Sequence, residues 1–339
     1  MKKLLFILAV ILCLGFSIVG AEESGNGFKI SPTRHELEVK RGKSTRITIT
    51  VENITDLPIE SGFLVNDFLA DEDGGNFPRI VFNPESDIAE EYSIKSFVDL
   101  PDPITLAPRQ SKDFSVNVFV PKNASPGSYF GVFRVVPAAE LDSASGTRVG
   151  INASVSSVII ITVPGDVVEL LSLRDVQVGE DIEKTENGQV VYEESLGKIF
   201  ESSPDFVKIL LNNEGNVITK PFGKVHIKNW SGDVIYSYEL NDTQPRGNVL
   251  PASYRAFKNP ISNVGNFGKF TIEASISYGI TGESGGSTIN VNSTFWVVPW
   301  RLIIGVAGLI TIIVLALTKG VKSYNKFIFS RGSERKTKR

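Results

Sequence analysis

Arg46-Ile47-Thr48-Ile49-Thr50-Val51, followed at once by Glu52-Asn53-Ile54-Thr55-Asp56-Leu57-Pro58, decides how the rest of the chain is read. Ile47, Ile49 and Val51 fall on one face of an extended segment and Arg46, Thr48 and Thr50 on the other, the period-two signature of a half-buried strand. The strand stops where Asn53 and Asp56 can bond their own backbone and where Pro58 has no N–H for a ladder. The alternation returns at 114–120 through Val116, Val118 and Val120, until Pro121 stops it. Residues 129–136 and 155–163 are further strands, the last a nearly continuous apolar run suited to a central position. Six to eight short strands separated by Gly, Pro and Asn predict an all-β unit over 22–164, an immunoglobulin-like antiparallel β-sandwich.

Pro164-Gly165-Asp166 interrupts two apolar runs and marks a boundary, beyond which 165–296 forms a second sandwich. Residues 225–227 and 272–278 alternate again, the latter turning Ile272, Ala274, Ile276 and Tyr278 inward. Three landmarks recur in order: a strand entering an Asn turn (Asn53, Asn213), a Leu-Pro type turn before Ser (Leu106-Ala107-Pro108-Arg109-Gln110-Ser111, Leu250-Pro251-Ala252-Ser253), and Gly-x-aromatic opening a strand (Gly127-Ser128-Tyr129, Gly268-Lys269-Phe270). This order points to domain duplication, with the charged stretch 179–204 read as a mobile insertion. Gly127-Ser128-Tyr129 also resembles the tyrosine corner of immunoglobulin-like sandwiches, which gives Tyr129 a structural role.

Near the other end stands Trp296-Val297-Val298-Pro299-Trp300-Arg301, then residues 302–318 without a charge. Those seventeen residues span roughly 25 Å as a helix, and 297–318 together approach the ~30 Å of a hydrocarbon core. A transmembrane helix at 297–318 follows. The tail 319–339 carries eight Lys/Arg against Glu334 alone, which makes it cytoplasmic by the positive-inside rule, with Trp296 and Trp300 in the outer aromatic belt. At the start, Lys2-Lys3, an apolar run 4–19 and Val19-Gly20-Ala21 read as a signal peptide over 1–21; an uncleaved N-terminal helix is the alternative. The expected location is the cell membrane, single-pass, with an extracellular N-terminal ectodomain.

Ile30-Ser31-Pro32-Thr33-Arg34-His35-Glu36-Leu37-Glu38-Val39, Arg41-Gly42-Lys43, 48–53 and Val120-Pro121-Lys122-Asn123-Ala124-Ser125-Pro126-Gly127-Ser128-Tyr129-Phe130-Gly131 resemble the N-terminal domain of the WxL-interacting surface proteins of Gram-positive bacteria. The layout of signal, two immunoglobulin-like domains, one helix and a short basic tail is similar to that family too. The resemblance implies a first domain that binds cell-wall peptidoglycan and a second that engages a host or surface protein. It carries over no binding residue.

The residue inventory narrows the chemistry. Cys13, the one cysteine, lies in the signal, so a mature chain has no disulfide framework, cysteine–zinc site or thiol nucleophile. The net charge of −3 divides into +7 for the tail, +2 for Lys2 and Lys3, and −12 for everything else, a poor surface for nucleic acid. His35 and His226, the two histidines, have no ligand at metal spacing, and His226 alternates outward between Val225 and Ile227. No Gly-x-Ser-x-Gly elbow, phosphate loop or zinc motif is present, so neither catalysis nor a cofactor is expected. Asp71-Glu72-Asp73-Gly74-Gly75-Asn76 is either a calcium loop or a solvated turn, next to Phe63, Phe68, Phe77 and Phe82, which read as core. Trp230, in Lys228-Asn229-Trp230-Ser231-Gly232-Asp233, is the candidate contact residue at a hairpin tip, with a ring folded over the sandwich edge as the alternative. Asn53, Asn123, Asn152, Asn229, Asn241 and Asn292 open glycosylation sequons. The leading expectation is a non-enzymatic surface protein that binds peptidoglycan or a surface protein. A structural or assembly subunit that pairs by strand edges is the second, and a wall hydrolase a remote third.

Overall fold

The computed structural model describes residues 27–71, 74–75, 79–81, 91–138, 154–186, 188–281 and 286–334. The expected signal at 1–21 lies outside them, as do Glu72, Asp73 and Asn76 of the acidic loop. Two compact units result, Met1–Leu69 with Pro78–Val167, and Ala70–Phe77 with Val168–Arg339.

The first unit contains β1 (Phe28–Ser31), β2 (Arg34–Glu38), β3 (Ser44–Asn53), β4 (Ile59–Leu69), β5 (Arg79–Val81), β6 (Val98–Asp99), β7 (Ile104–Leu106), β8 (Ser111–Phe119), β9 (Gly127–Pro137) and β10 (Val155–Val163). One sheet runs β1-β3-β8-β6 and the other β2-β10-β9-β4-β5, with β7 also on β4. Pro32, which has no N–H, separates β1 from β2, and there the chain crosses between sheets. β2 then pairs parallel with β10, Arg34 opposite Val158 and Glu38 opposite Thr162. The alternation read from the sequence builds the core: Ile49, Val51, Val116, Val118 and Val120 are fully buried, and Phe63 packs its ring 4.8 Å from Phe114. Each such side chain contributes about 1.5–3 kcal/mol of apolar burial. Phe68, also buried, packs on Phe130; Phe77 and Phe82 lie outside the described residues.

The second unit repeats this wiring with one addition. Its strands are β11 (Leu171–Glu186), β12 (Gln189–Gly197), β13 (Ile199–Phe200), β14 (Phe206–Asn213), β15 (Phe222–Lys228), β16 (Val234–Leu240), β17 (Ser253–Pro260), β18 (Gly268–Tyr278) and β19 (Ser287–Val297). The sheets run β12-β11-β14-β17 and β13-β19-β18-β15-β16. β13 lies parallel to β19, as β2 does to β10. Ile272, Ala274, Ile276 and Tyr278 are all buried, as the period-two reading expects.

The turn landmarks are structural joints. At the end of β3, the buried Asn53 donates through Nδ2 to the carbonyls of Leu57, Leu106 and Ala107 (2.8, 3.1 and 3.0 Å), and its Oδ1 accepts from Thr55 N. At the end of β14, the buried Asn213 donates to the carbonyls of Val217 and Val249 (2.8 and 2.9 Å) and accepts from Gly215 N. Each ties a strand end to the Leu-Pro turn. Tyr129 Oη donates to the Ser125 carbonyl at 3.0 Å, as a tyrosine corner does.

α1 (Trp300–Glu334) follows β19 after two residues. Val297, expected in the helix, is instead the buried last residue of β19, and Val298 N donates to the Phe200 carbonyl at 2.7 Å. Pro299 fits a helix start, where its missing N–H is no loss, and Ile303 N donates to its carbonyl. Within α1, Trp300–Asn325 is long and apolar enough to cross a membrane by length and composition, and none of its apolar stretch is buried. The tail expected at 319–339 continues the helix as far as Glu334.

Candidate functional site

Trp230 sits at the tip of the β15–β16 hairpin and is 79% exposed. The turn beneath it is rigid. Asn229 Oδ1 accepts from Ser231 N (3.0 Å), Ser231 Oγ (2.7 Å) and Asp233 N (2.9 Å), while Gly232 supplies a φ of 91°. The Asp233 carboxylate accepts from Ser231 Oγ (2.6 Å) and Asn229 Nδ2 (3.1 Å), and these bonds hold it below its usual range. Tip side chains therefore project from a fixed frame.

The histidines are apart. His35 lies on β2 opposite Ile159, and burial lowers its pKa. His226 lines a shallow depression on the outer face of β15, β18 and β19 with Lys224, Glu273 and Asn290. Its neighbour Glu273 is held by Lys228 at 2.5 Å. Groups of three or more His, Cys, Asp or Glu suited to a metal are absent among the described residues. In the acidic loop Gly74 N donates to the Asp71 carbonyl at 2.9 Å, a turn contact; the other acidic side chains lie outside the described residues.

Residues 179–204, expected to be a mobile insertion, form an ordered arm. β11 pairs with β14 only as far as Gly179 opposite Phe206, then continues to Glu186 with β12 alone beside it. Seven residues at about 3.3 Å each carry it some 23 Å past the sandwich. Asn187-Gly188, between Glu186 and Gln189 of the closing register, is the hairpin dipeptide that reveals this arm in the sequence. At its base Lys258 bridges Asp181 (2.7 Å) and Glu194 (3.1 Å), and Lys208 also reaches Glu194. Burial works against these charges, yet the hydrogen bonds from Lys208 and Lys258 hold Glu194 below the ordinary carboxylate range.

β12 ends its sheet and has no strand on its outer side among the described residues. Val190, Val191, Tyr192 and Leu196 on it are exposed, as is Ile182 opposite. A free row of backbone donors and acceptors with apolar flanks is a template for strand addition.

The fold and this edge define a class: tandem immunoglobulin-like β-sandwiches with one apolar C-terminal helix. No family model matches the chain, and no curated protein matches it. Among solved structures it is similar to a chaperone–tip adhesin complex described as vital for activating CFA/I fimbriae biogenesis (12% identity, 79% of this chain and 98% of that one, TM-score 0.38). It is also similar to the class 5 fimbriae chaperone CfaA (12%, 79% and 99%, 0.38) and the E. coli chaperone DraB (14%, 80% and 96%, 0.31). At these values the likeness is one of sandwich architecture, and no partner is drawn from it.

Proposed function

We propose that this chain is a non-enzymatic, single-pass membrane protein whose ectodomain pairs with another exported protein by strand addition along β12. What supports the reading is the edge itself: nine residues long, raised on an arm, open on one side and apolar at Val190, Val191 and Tyr192. Natural edge strands are usually short, charged, bulged or covered. In this reading α1 crosses the membrane with the sandwiches outside and Lys319, Lys322 and Lys326 inside.

Photo-crosslinking on intact cells tests it. A photoreactive residue at Tyr192 is expected to capture one exported protein, and the additional substitution Val190→Pro, which removes an N–H on the open side of β12, to abolish capture. Unchanged capture by the Pro variant would sink strand addition.

A second reading, peptidoglycan binding by the first sandwich, is favoured by the resemblance to WxL-interacting proteins. The residues that carry that resemblance serve the scaffold: Ile30, Ile49, Val51 and Asn53 are buried and Tyr129 bonds its own corner. Sedimentation of the ectodomain with purified sacculi, in the absence of a captured protein, would support this second reading over the first.

A further inference from the structure

All three tryptophans of the chain, Trp230, Trp296 and Trp300, belong to one end of the second sandwich, although 70 residues separate the first from the last. The strand register places them. Val297, the last residue of β19, pairs with Gly268, the first of β18, and Trp296 pairs with Lys269 on one side and Ile199 on the other. β15 ends at this level too, Lys228 opposite Thr271, and two residues later comes Trp230. A Cβ on Gly268 would meet Trp230 Cδ1 at 3.4 Å, so the indole lies against the very residue that pairs with Val297. Phe267 immediately precedes Gly268.

Across the sheet end, in spatial order, stand Ile199 (71% exposed), Trp296 (46%), Phe267 (67%) and Trp230 (79%), with Trp300 (50%) opening α1 beside them. Adjacent strands are about 4.8 Å apart, so these exposed apolar side chains are spread over roughly 15 Å of the sheet end, with Lys269 opposite Trp296. Exposed apolar side chains gathered at one end of a domain mark a surface that something else covers.

What covers it follows from the junction with α1. Only Val298 and Pro299 separate β19 from the helix, a reach of about 7 Å. Both sides of the junction are tied: Trp296 N donates to Lys198 O (2.8 Å), Val298 N to Phe200 O (2.7 Å), and Arg301 pairs with Glu201 at 3.3 Å. A headgroup layer is on the order of 6 Å thick on each side of the hydrocarbon core. A rim held that close to the first turn of a membrane helix sits in this layer, where Trp, with an apolar body and one N–H, is most favoured.

We infer that this end of the second sandwich is a membrane-surface contact: Ile199, Phe267, Trp230 and Trp296 rest in the lipid headgroup layer around α1, seating the sandwich on the bilayer. The inference rests on the membrane-spanning reading of α1. It assigns Trp230 to lipid rather than to a protein partner.

The test uses full-length protein in vesicles of phosphatidylcholine and phosphatidylglycerol, with the phosphatidylcholine brominated near the top of its acyl chains. Two single-tryptophan forms are compared, W296F/W300F, which keeps Trp230, and W230F/W296F, which keeps Trp300. Both are expected to emit at shorter wavelength than water-exposed tryptophan and to lose fluorescence in brominated relative to plain vesicles. Quenching of Trp300 alone overturns the inference and leaves the spanning helix intact. A blue-shifted but unquenched Trp230 also overturns it, because protein rather than lipid then covers the ring. If the protein fails to float with vesicles and neither form is quenched, the spanning reading itself fails and the inference with it.

Discussion

Asn53 and Asn213 occupy the same joint of two sandwiches, each fully buried and each donating its side-chain N–H groups to the turn that leads into β8 or β17. The 160 residues between them include one extra arm, and the joint is otherwise reproduced down to the acceptor role of Oδ1 toward the second residue on. A buried amide with every hydrogen bond made specifies where strand and turn meet.

Replacing Asn213 with Ala strips the Val217 and Val249 carbonyls of a donor and the Gly215 N–H of an acceptor. A loss on the order of 2–4 kcal/mol is expected, since each buried group left unpaired costs about 1–3 kcal/mol. Asn53→Ala should cost a similar amount. Urea titration of the ectodomain reads both; a change under 1 kcal/mol would show that the joint is dispensable.

Tyr238 gives the opposite sign. Its hydroxyl is buried without a hydrogen-bond partner among the described residues, and burial, with Tyr236 adding to it, pushes the phenol far above its ordinary value. Tyr238→Phe is therefore expected to leave stability unchanged or raise it by about 1 kcal/mol. A raised folded pKa means a contribution complete below about pH 10 and lost as pH climbs through the folded value. Alkaline unfolding should accordingly begin at higher pH in the variant, as followed by circular dichroism.

Arg109 and Ala252 each follow a Pro in the landmark turns and share a left-handed backbone, φ 57° and 51°. For a residue with a Cβ that conformation costs roughly 1 kcal/mol. Ala252→Gly should thus be neutral or stabilising and Ala252→Val destabilising by about 1–3 kcal/mol, a contrast that thermal melts resolve. Equal melting temperatures for the two variants would contradict the strain.

The arm is pinned at its base by Lys258, half-exposed between Asp181 and Glu194. Lys258→Met is expected to change global stability by less than about 1 kcal/mol, because exposed ion pairs contribute little. Amide exchange in β12 should nevertheless quicken. Because the Glu194 pKa is lowered, its contribution is complete above the ordinary carboxylate value and lost as pH falls through the folded one. Acidification of the unaltered protein should likewise lower the protection of the β12 amides relative to their intrinsic exchange, and identical exchange in both proteins at neutral pH would refute the pinning.

Much of this molecule was legible because its signals are local. Period-two runs locate β3, β8 and β18 and a continuous apolar run locates β10, while Asn53 and Asn213 mark joints by their hydrogen-bonding chemistry and Pro108 and Pro251 by their missing N–H. Pairing was not legible. That β2 crosses to the opposite sheet and runs beside β10 depends on contacts over 120 residues apart, which no window of sequence contains. Residues 179–204 were read by charge, which hid the Asn187-Gly188 turn and the alternation around it. The sequence places Trp230 at a hairpin tip, but its place beside Gly268, and hence beside the start of α1, is a property of register alone.

The parallel pairing of β2 with β10 also sets how the first sandwich bears load. β2 begins at the end of the sandwich opposite to where β10 leaves. Tension drawn between those two points runs along the strands, so the bridging hydrogen bonds are sheared together instead of being unzipped one at a time. Resistance to such a pull is set by the unfolding rate rather than by equilibrium stability. A pull on the first sandwich between β2 and β10 would therefore meet it in its stiffest direction.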